Sequence, residues 1–382
     1  MSDLVDRARA LAPKILAARP AMERDRRLPD DLGAAFRDAG LYRLCVPKAY
    51  NGLEADPRTL LETVEALAET DASAAWCAMI GAVTGSLAAF LDDSAAREVF
   101  ADPGAIVAGV YAPMGKATRD GDTYTFSGQW KWNSGGQNAT WLCGGCLILE
   151  NGAPRMLAQN LPDQRMMLFP ASSARFIDTW HTSGLRGTGS GDMAVDALAI
   201  PQARSVSLIT DQPRIATPLY KFPVFGLLAL GIAAVASGNI RAAFREFAES
   251  AGAKRLPTGR FLNERAAIQS AYADAHARAS AARALLLQEI ETCWREAQSG
   301  AAISLQARAG LRLACTHLTR TAAEIARTLQ DLAGGAAVFL DNPLNRRAAD
   351  AQVMTAHIMI APPTYELTGR ALLGVPVSAA EL

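Results

Sequence analysis

The chain holds four histidines and six cysteines, so few side chains can move protons or bind metal near neutrality. His357 is the first candidate. A neutral imidazole takes a proton near pH 7, which suits deprotonation of a phenol, an indole or an amine; a satisfied structural histidine is the alternative. His181 stands in Trp180-His181-Thr182-Ser183-Gly184-Leu185-Arg186-Gly187-Thr188-Gly189-Ser190 and is a candidate for lining a substrate pocket. In the same segment, Thr188-Gly189-Ser190 lets backbone approach a ligand, because glycine lacks a Cβ, and offers two hydroxyls. An ordinary Gly-rich turn is the other reading. His276 and His317 lie among alanines and arginines and read as structural. Ser134 closes Trp130-Lys131-Trp132-Asn133-Ser134, which puts two indoles and a hydroxyl on one short stretch. Cys143-Gly144-Gly145-Cys146 has the spacing of a zinc or redox pair. No second ligand pair accompanies it, and a structural zinc wants four ligands. Two packed thiols are therefore expected, with no metal.

These residues must be positioned by elements of two kinds. Up to about residue 105 the pattern is helical. Leu4 to Leu16 is amphipathic. Pro29 to Gly40 starts with proline and acids and stops at glycine, the expected asymmetry. Asp56-Pro57 opens a helix through Glu69, and Asp71 to Phe90 is a long Ala-rich helix. From Ile106 to about Val206 short apolar runs alternate with Gly and Asn-Gly turns, the signature of strands. Pro201 ends that block. From Leu219 the helical period returns, with helices expected over 243–250, 262–298, 301–332 and 347–361. The uncharged stretch from Phe222 to Ile240 carries Pro223, Gly226, Gly231 and Gly238, and reads as a buried core helix rather than a membrane span.

Charge is balanced at 38 basic and 38 acidic residues, and half the residues are apolar. No stripe of one sign appears, so neither nucleic acid nor an anionic membrane is the expected partner. The N-terminal stretch is charged and lacks an apolar signal core. A reducing, cytoplasmic setting is expected.

Helices, a β block and a second helical block are the plan of the acyl-CoA dehydrogenase superfamily, and four segments in order resemble it. They are Gly40-Leu41 through Val46-Pro47 to Tyr50-Asn51-Gly52; Phe126-Ser127-Gly128 through Gly135; Trp180 through Ser190, followed by Val195 and Pro201; and Gly334-Gly335 with Asn342-Pro343-Leu344-Asn345-Arg346-Arg347 and Asp350. The resemblance implies an α+β fold with an N-terminal helical domain (1–105), a central β-barrel domain (106–212) and a C-terminal four-helix bundle (213–382). One position departs from the dehydrogenases. Eight residues after the Asp they usually carry the Glu that removes a proton alpha to a thioester carbonyl. Here that position is Ile358, with His357 beside it. Together with Trp130-x-Trp132-x-Ser134-Gly135 and Gly187-Thr188-Gly189-Ser190, this looks more like the two-component, reduced-flavin-dependent monooxygenases of the same fold, the aromatic hydroxylases and indole oxygenases.

That resemblance implies roles residue by residue. Trp132 would lie against the flavin ring and the Ser134 hydroxyl would bond flavin N5. Tyr111-Ala112-Pro113 would form the flavin loop after the first strand, with Thr188, Gly189 and Ser190 facing the ring or phosphate. Phe261 and Gln269 match the family spacing, but the arginine usually three residues before the Phe is Thr258 here; Arg260 or Arg255 would then meet the phosphate. The choice between FAD and FMN stays open. Gly334 and Gly335 would reach a neighbouring subunit's flavin in a homotetramer. His357 would be the base and Ser134 would protect a C4a-hydroperoxyflavin, formed from reduced FAD or FMN and O2, that oxygenates a small aromatic or heteroatom-containing substrate. No Gly-x-Gly-x-x-Gly follows a strand, so a separate NAD(P)H-flavin reductase is expected to supply the reduced flavin. Two other readings stand beside this one: an acyl-CoA dehydrogenase with Glu366 as base, and a catalytically silent flavin-binding protein.

Overall fold

The computed structural model describes residues 3–158, 161–378 and 382. Six helices come first: α1 (Asp3–Ala10), α2 (Ala12–Asp25), α3 (Asp30–Asp38), α4 (Pro57–Thr70), α5 (Ala72–Thr84) and α6 (Asp93–Phe100). The single helix expected over Leu4 to Leu16 is two. Pro13 lacks the N–H that would bond the previous turn, so it sits in the first turn of a new helix. Asp71 joins two others. Its amide closes α4 on Leu67 O, and its carboxylate accepts from the amides of Ser73 and Ala74 to open α5. The Ala-rich run then tightens to a 3-10 turn at Gly85–Ala89.

Among the described residues ten strands follow: β1 (Val107–Asp120), β2 (Thr123–Trp130), β3 (Trp141–Glu150), β4 (Ala153–Pro154), β5 (Met156–Ala158), β6 (Leu161–Pro162), β7 (Gln164–Pro170), β8 (Arg175–Ile177), β9 (Asp192–Pro201) and β10 (Ser205–Val206). Seven of them run in the order β10-β7-β3-β1-β2-β9-β8, with β4 attached to β3. Among the described residues β8 and β10 do not pair with each other. The sheet is therefore open in its hydrogen bonding rather than closed as a barrel, and its two edges are strands of only three and two residues. Its core centres on Trp130, fully buried, whose indole N–H donates to Gly145 O at 2.7 Å. A Cβ at Gly115, Gly128 or Gly144 would fall within 2.4–2.7 Å of that indole, so the glycines of three strands make the room it fills. Cys143 and Cys146 are buried free thiols in β3, and burial pushes both thiol pKa values up.

The last six helices are α7 (Pro218–Lys221), α8 (Val224–Ala253), α9 (Ala266–Ser299), α10 (Leu305–Ala333), α11 (Pro343–Met354) and α12 (Pro363–Leu372). α8 is long and apolar enough to cross a membrane, but most of its apolar stretch is buried against α4, α5 and α10. The helix expected to reach residue 361 stops at Met354. Pro362 and Pro363 cannot continue a helix into which they would put no N–H, and the chain between makes a turn (His357 N–H to Met354 O, Ile360 N–H to His357 O) before α12 starts. His357 thus stands on a turn between two helices, not on a helix.

Candidate active site

Two turns of the β domain meet beneath α5. After β2 the chain runs through Trp132 (φ +66°) and Gly135 (φ +67°). The Asn133 amide donates to Gly191 O at 3.0 Å and the Gly135 amide to Thr188 O at 2.9 Å. These bonds pin the 131–136 turn to the 185–191 turn and bring Ser134, Thr188 and Ser190 together. The second turn is anchored in turn by α11. Leu185, at φ +49°, donates its amide to Asp350 Oδ1 at 2.6 Å. Gly184 lies so close to α11 that a Cβ there would be 2.3 Å from the Ala349 carbonyl carbon.

The three hydroxyls form a directed chain. Thr188 Oγ1 donates to Leu185 O at 2.8 Å, Thr188 and Ser190 oxygens are 2.6 Å apart, and Ser190 and Ser134 oxygens are 2.6 Å apart. Each hydroxyl has one proton. Thr188 spends its own on the carbonyl, so Ser190 must donate to Thr188 and Ser134 must donate to Ser190. Ser134 also accepts from the indole N–H of Trp76 at 3.1 Å. Its proton is committed, and its second lone pair is the one position left. Ser134 therefore meets any further group as an acceptor.

Trp76 links this chain to His357. Its ring meets the imidazole edge-on, with centroids 5.8 Å apart. His357 Nδ1 accepts from the Met359 amide at 3.2 Å, so a neutral ring carries its proton on Nε2. Burial and, secondly, the nearby Arg312 cation push the His357 pKa down to about 4. At neutral pH the imidazole is uncharged, it is a weak base, and Nε2–H is a donor. This differs from the base active near pH 7 that the isolated residue suggests, because the surroundings penalise the imidazolium.

Among the described residues, no hydrogen bond joins the side chains of the other residues singled out in the sequence to the hydroxyl chain. Trp132 projects outward, 60% exposed. Tyr111 sits where β1 bulges away from β3, between Val110 and Gly115, close to the core. His181 is exposed and lies 3.7 Å from Asp178. His276 stacks on Phe244 with centroids 3.9 Å apart, and His317 is exposed. Arg260 donates to Glu264 O in the loop after α8, where Arg255 covers the Phe261 ring. Gly334 (φ +74°) and Gly335 end α10 with open space around Gly335. Glu366 lies on the exposed side of α12. Sequence reasoning missed Trp76, the one bulky aromatic in an Ala-rich helix, and Arg312. A groove of about 500 Å3 among α8, α9 and α10 is lined by His276, Arg241 and Arg283 and is separate from the hydroxyl chain.

The residues fit a planar heteroaromatic ring with N–H and C=O groups. Asn133 is buried, yet neither its amide nitrogen nor its oxygen has a partner, and buried polar groups are seldom left so. Beside it are the exposed Trp132 indole and the open lone pair of Ser134. Among the described residues no cluster of metal-ligating side chains occurs.

Comparison with known proteins agrees. The family model for the acyl-CoA dehydrogenase N-terminal domain matches residues 2–99, and that for the C-terminal domain matches residues 230–362. Indole-3-acetate monooxygenase of Pseudomonas putida is 31% identical over 92% of this chain and 89% of its own. The flavin-dependent monooxygenase oxygenase subunit HsaA of Mycobacterium tuberculosis is 29% identical over 96% of this chain and 94% of its own. The structure of XiaF from Streptomyces sp., in complex with FADH2 and glycerol, superposes with a TM-score of 0.91 at 25% identity, covering 98% of this chain and 96% of that one. The chain belongs to the acyl-CoA dehydrogenase superfamily, in its branch of two-component, flavin-dependent monooxygenases.

Proposed function

We propose that the protein is the oxygenase component that takes reduced FAD or FMN from a separate flavin reductase and uses O2 to oxygenate a small aromatic or heteroatom-containing substrate. One oxygen atom enters the substrate and the other leaves as water. The observation that carries this reading is the directed chain Thr188–Ser190–Ser134 with Trp76 set between it and His357, where a dehydrogenase would carry a carboxylate. Reduced flavin, when bound, supplies the electrons that activate O2. The protein's part is binding and order. Ser134 accepts a hydrogen bond from the ring N–H. Asn133 has a free donor and a free acceptor for ring carbonyl and imide groups. Trp132 gives an apolar face, and the Thr188-Gly189-Ser190 turn with Tyr111 frames the edge. His357 acts as a neutral donor through Nε2, orienting an oxygen of the substrate rather than removing its proton.

In the same reading the loop carrying Arg260 and Phe261, and the Gly334-Gly335 pair, meet the flavin across subunits of a homotetramer, and exposed His181 lies near the pocket mouth. The protein works in the cytoplasm, free of membrane and nucleic acid; six free buried thiols support a reducing compartment.

The test is reconstitution with a flavin reductase, NADH and 18O2, with aromatic substrates. Incorporation of one labelled atom supports the oxygenase. Rapid bleaching of oxidised flavin by acyl-CoA, abolished in Glu366→Gln, would instead support the dehydrogenase.

A further inference from the structure

The groove among α8, α9 and α10 takes no part in the hydroxyl chain, yet it is built like a binding site. α8 and α9 both pack along α10 but scarcely on each other. The space between them is about 500 Å3, within the roughly 300–1,000 Å3 of small-molecule sites. Its two ends differ. At one, His276 stacks on Phe244 with centroids 3.9 Å apart, and Tyr272 meets Phe244 edge-on at 5.5 Å. At the other stand Ser237, Arg241 and Arg283. Ile240, Ala279, Leu318 and Ala322 line the apolar stretch between. Phe244 and Ser237 are seven residues apart on one helix, which separates the two ends by about 10 Å.

The basic end has positive charge to spare. At its centre is the Glu65 carboxylate, 1% exposed. Arg283 gives it Nε and Nη2 at 2.8 and 2.9 Å, Ser237 gives it a hydroxyl, and Arg241 approaches it with Nη1. Arg241 also reaches Glu69, which Arg245 shares. Three guanidiniums thus face two carboxylates, and the neighbouring Glu62 is taken by Arg58. Among the described residues Arg283 keeps Nη1, and Arg241 keeps Nε, without an acceptor. An acid entering the groove would meet donors already oriented by Glu65 and would offset the surplus charge. The stacked rings at the far end favour a flat, apolar body.

We propose that this groove is a second small-molecule site, apart from the reaction centre, for an aromatic carboxylate. Its ring lies at the Phe244–His276 end and its carboxylate at Arg241 and Arg283.

Calorimetric titration of the full-length protein as isolated tests this, with phenylpropionate, its amide and hexanoate as probes. Phenylpropionate should bind at least about 10-fold more tightly than the amide or hexanoate. Arg241→Gln, at a half-exposed side chain, should weaken it about 5- to 30-fold. Ala279→Phe, which fills the groove from α9, should abolish it, with circular dichroism and unfolding midpoint near the parent's in both variants. Ser134→Ala should leave it unchanged, because Ser134 is not among the residues that line the groove. Absence of binding, equal binding of acid and amide, equal binding of hexanoate, or binding that Arg241→Gln leaves intact overturns the proposal. So does loss of binding in Ser134→Ala, which would place the acid at the reaction centre. A crystal structure with a second copy of the chain seated in the groove would overturn it as well.

Discussion

At the scale of single residues, the argument turns on where protons already are. The Ser134 proton is committed to Ser190 because Thr188 spends its own on Leu185 O. Reduced flavin carries N5–H, a donor, whereas oxidised N5 is an acceptor. If Ser134 meets N5, as proposed, the chain would favour the reduced ring. Ser190→Ala releases the Ser134 proton, so the ratio of oxidised to reduced flavin dissociation constants should fall about 5-fold, the worth of roughly 1 kcal/mol. Ser134→Ala should weaken binding of the reduced form more than the oxidised. Equilibrium titrations of both forms check this, and an unchanged ratio in Ser190→Ala would remove the directional argument. His357 gives a second prediction. With its pKa pushed down to about 4, it contributes stability that is present above the unfolded value near 6.5 and lost as pH falls toward 4. Between pH 6 and 8 it stays neutral, so His357→Gln, which keeps a donor but is no base, should retain part of the product yield while His357→Ala diverts most NADH to peroxide. Equal loss in both variants would restore the base. Ser134, Thr188 and Ser190 were singled out in the sequence because the segments that carry them resemble the family's, and the structure brings the three hydroxyls together. Trp76 and Arg312 were not. Each sits on a helix whose spacing reads as core, and only tertiary packing shows which face they turn to.

At the scale of elements, the loop that carries Thr188 and Ser190 is held by α11 through one carboxyl. Asp350 accepts the Leu185 amide, but burial and the neighbouring Asp71 carboxylate raise its pKa to about 7. The folded state then binds a proton that the unfolded state gives up near 4. Stability from this residue is greatest below that value and falls as pH rises to about 7. Asp350→Asn keeps an acceptor for Leu185 without the charge, so urea unfolding at pH 5 and pH 8 should show a smaller pH difference in the variant than in the parent. An identical difference would mean the carboxyl is ionised and paid for elsewhere. Arg347 clamps the end of α4 onto α11. Removing it strands Glu246 and the last carbonyls of α4, and Arg347→Met should cost about 3–5 kcal/mol. The order of helices, strands and helices was legible because apolar periodicity changes from 3.6 to 2 and back. The breaks were harder. Pro13 divides the first helix, and the turn holding His357 lies in a run whose composition still reads as helical, so the sequence placed the imidazole on the wrong kind of element.

At the scale of the whole molecule, apolar surface is left over. Val338, Phe339 and Leu340 follow the Gly334-Gly335 turn with 68%, 64% and 91% of their surfaces exposed, and Leu372 and Leu373 at the end of α12 are 63% and 83% exposed. Single exposed apolar residues are ordinary, but a contiguous run of large ones marks a surface that something covers. That run continues directly from the glycine pair that the family resemblance assigns to a neighbour's flavin. Assembly and cofactor binding would then be one event: a second subunit buries Val338–Leu340, and Gly335, with nothing within 4 Å of where a Cβ would stand, lets backbone approach that subunit's ring. A charge placed in this run should separate the two. Leu340→Glu exposes no core, because the side chain is already outside, so the fold should survive with little change in unfolding free energy. Light scattering should report a tetramer for the parent and smaller species for the variant, and reduced-flavin affinity should fall in step with the loss of assembly. A variant that stays tetrameric would show the run is not the interface. One that dissociates yet binds reduced flavin as tightly as the parent would show that each site is complete within its own chain, and the glycine pair would then be a helix-ending turn and nothing more.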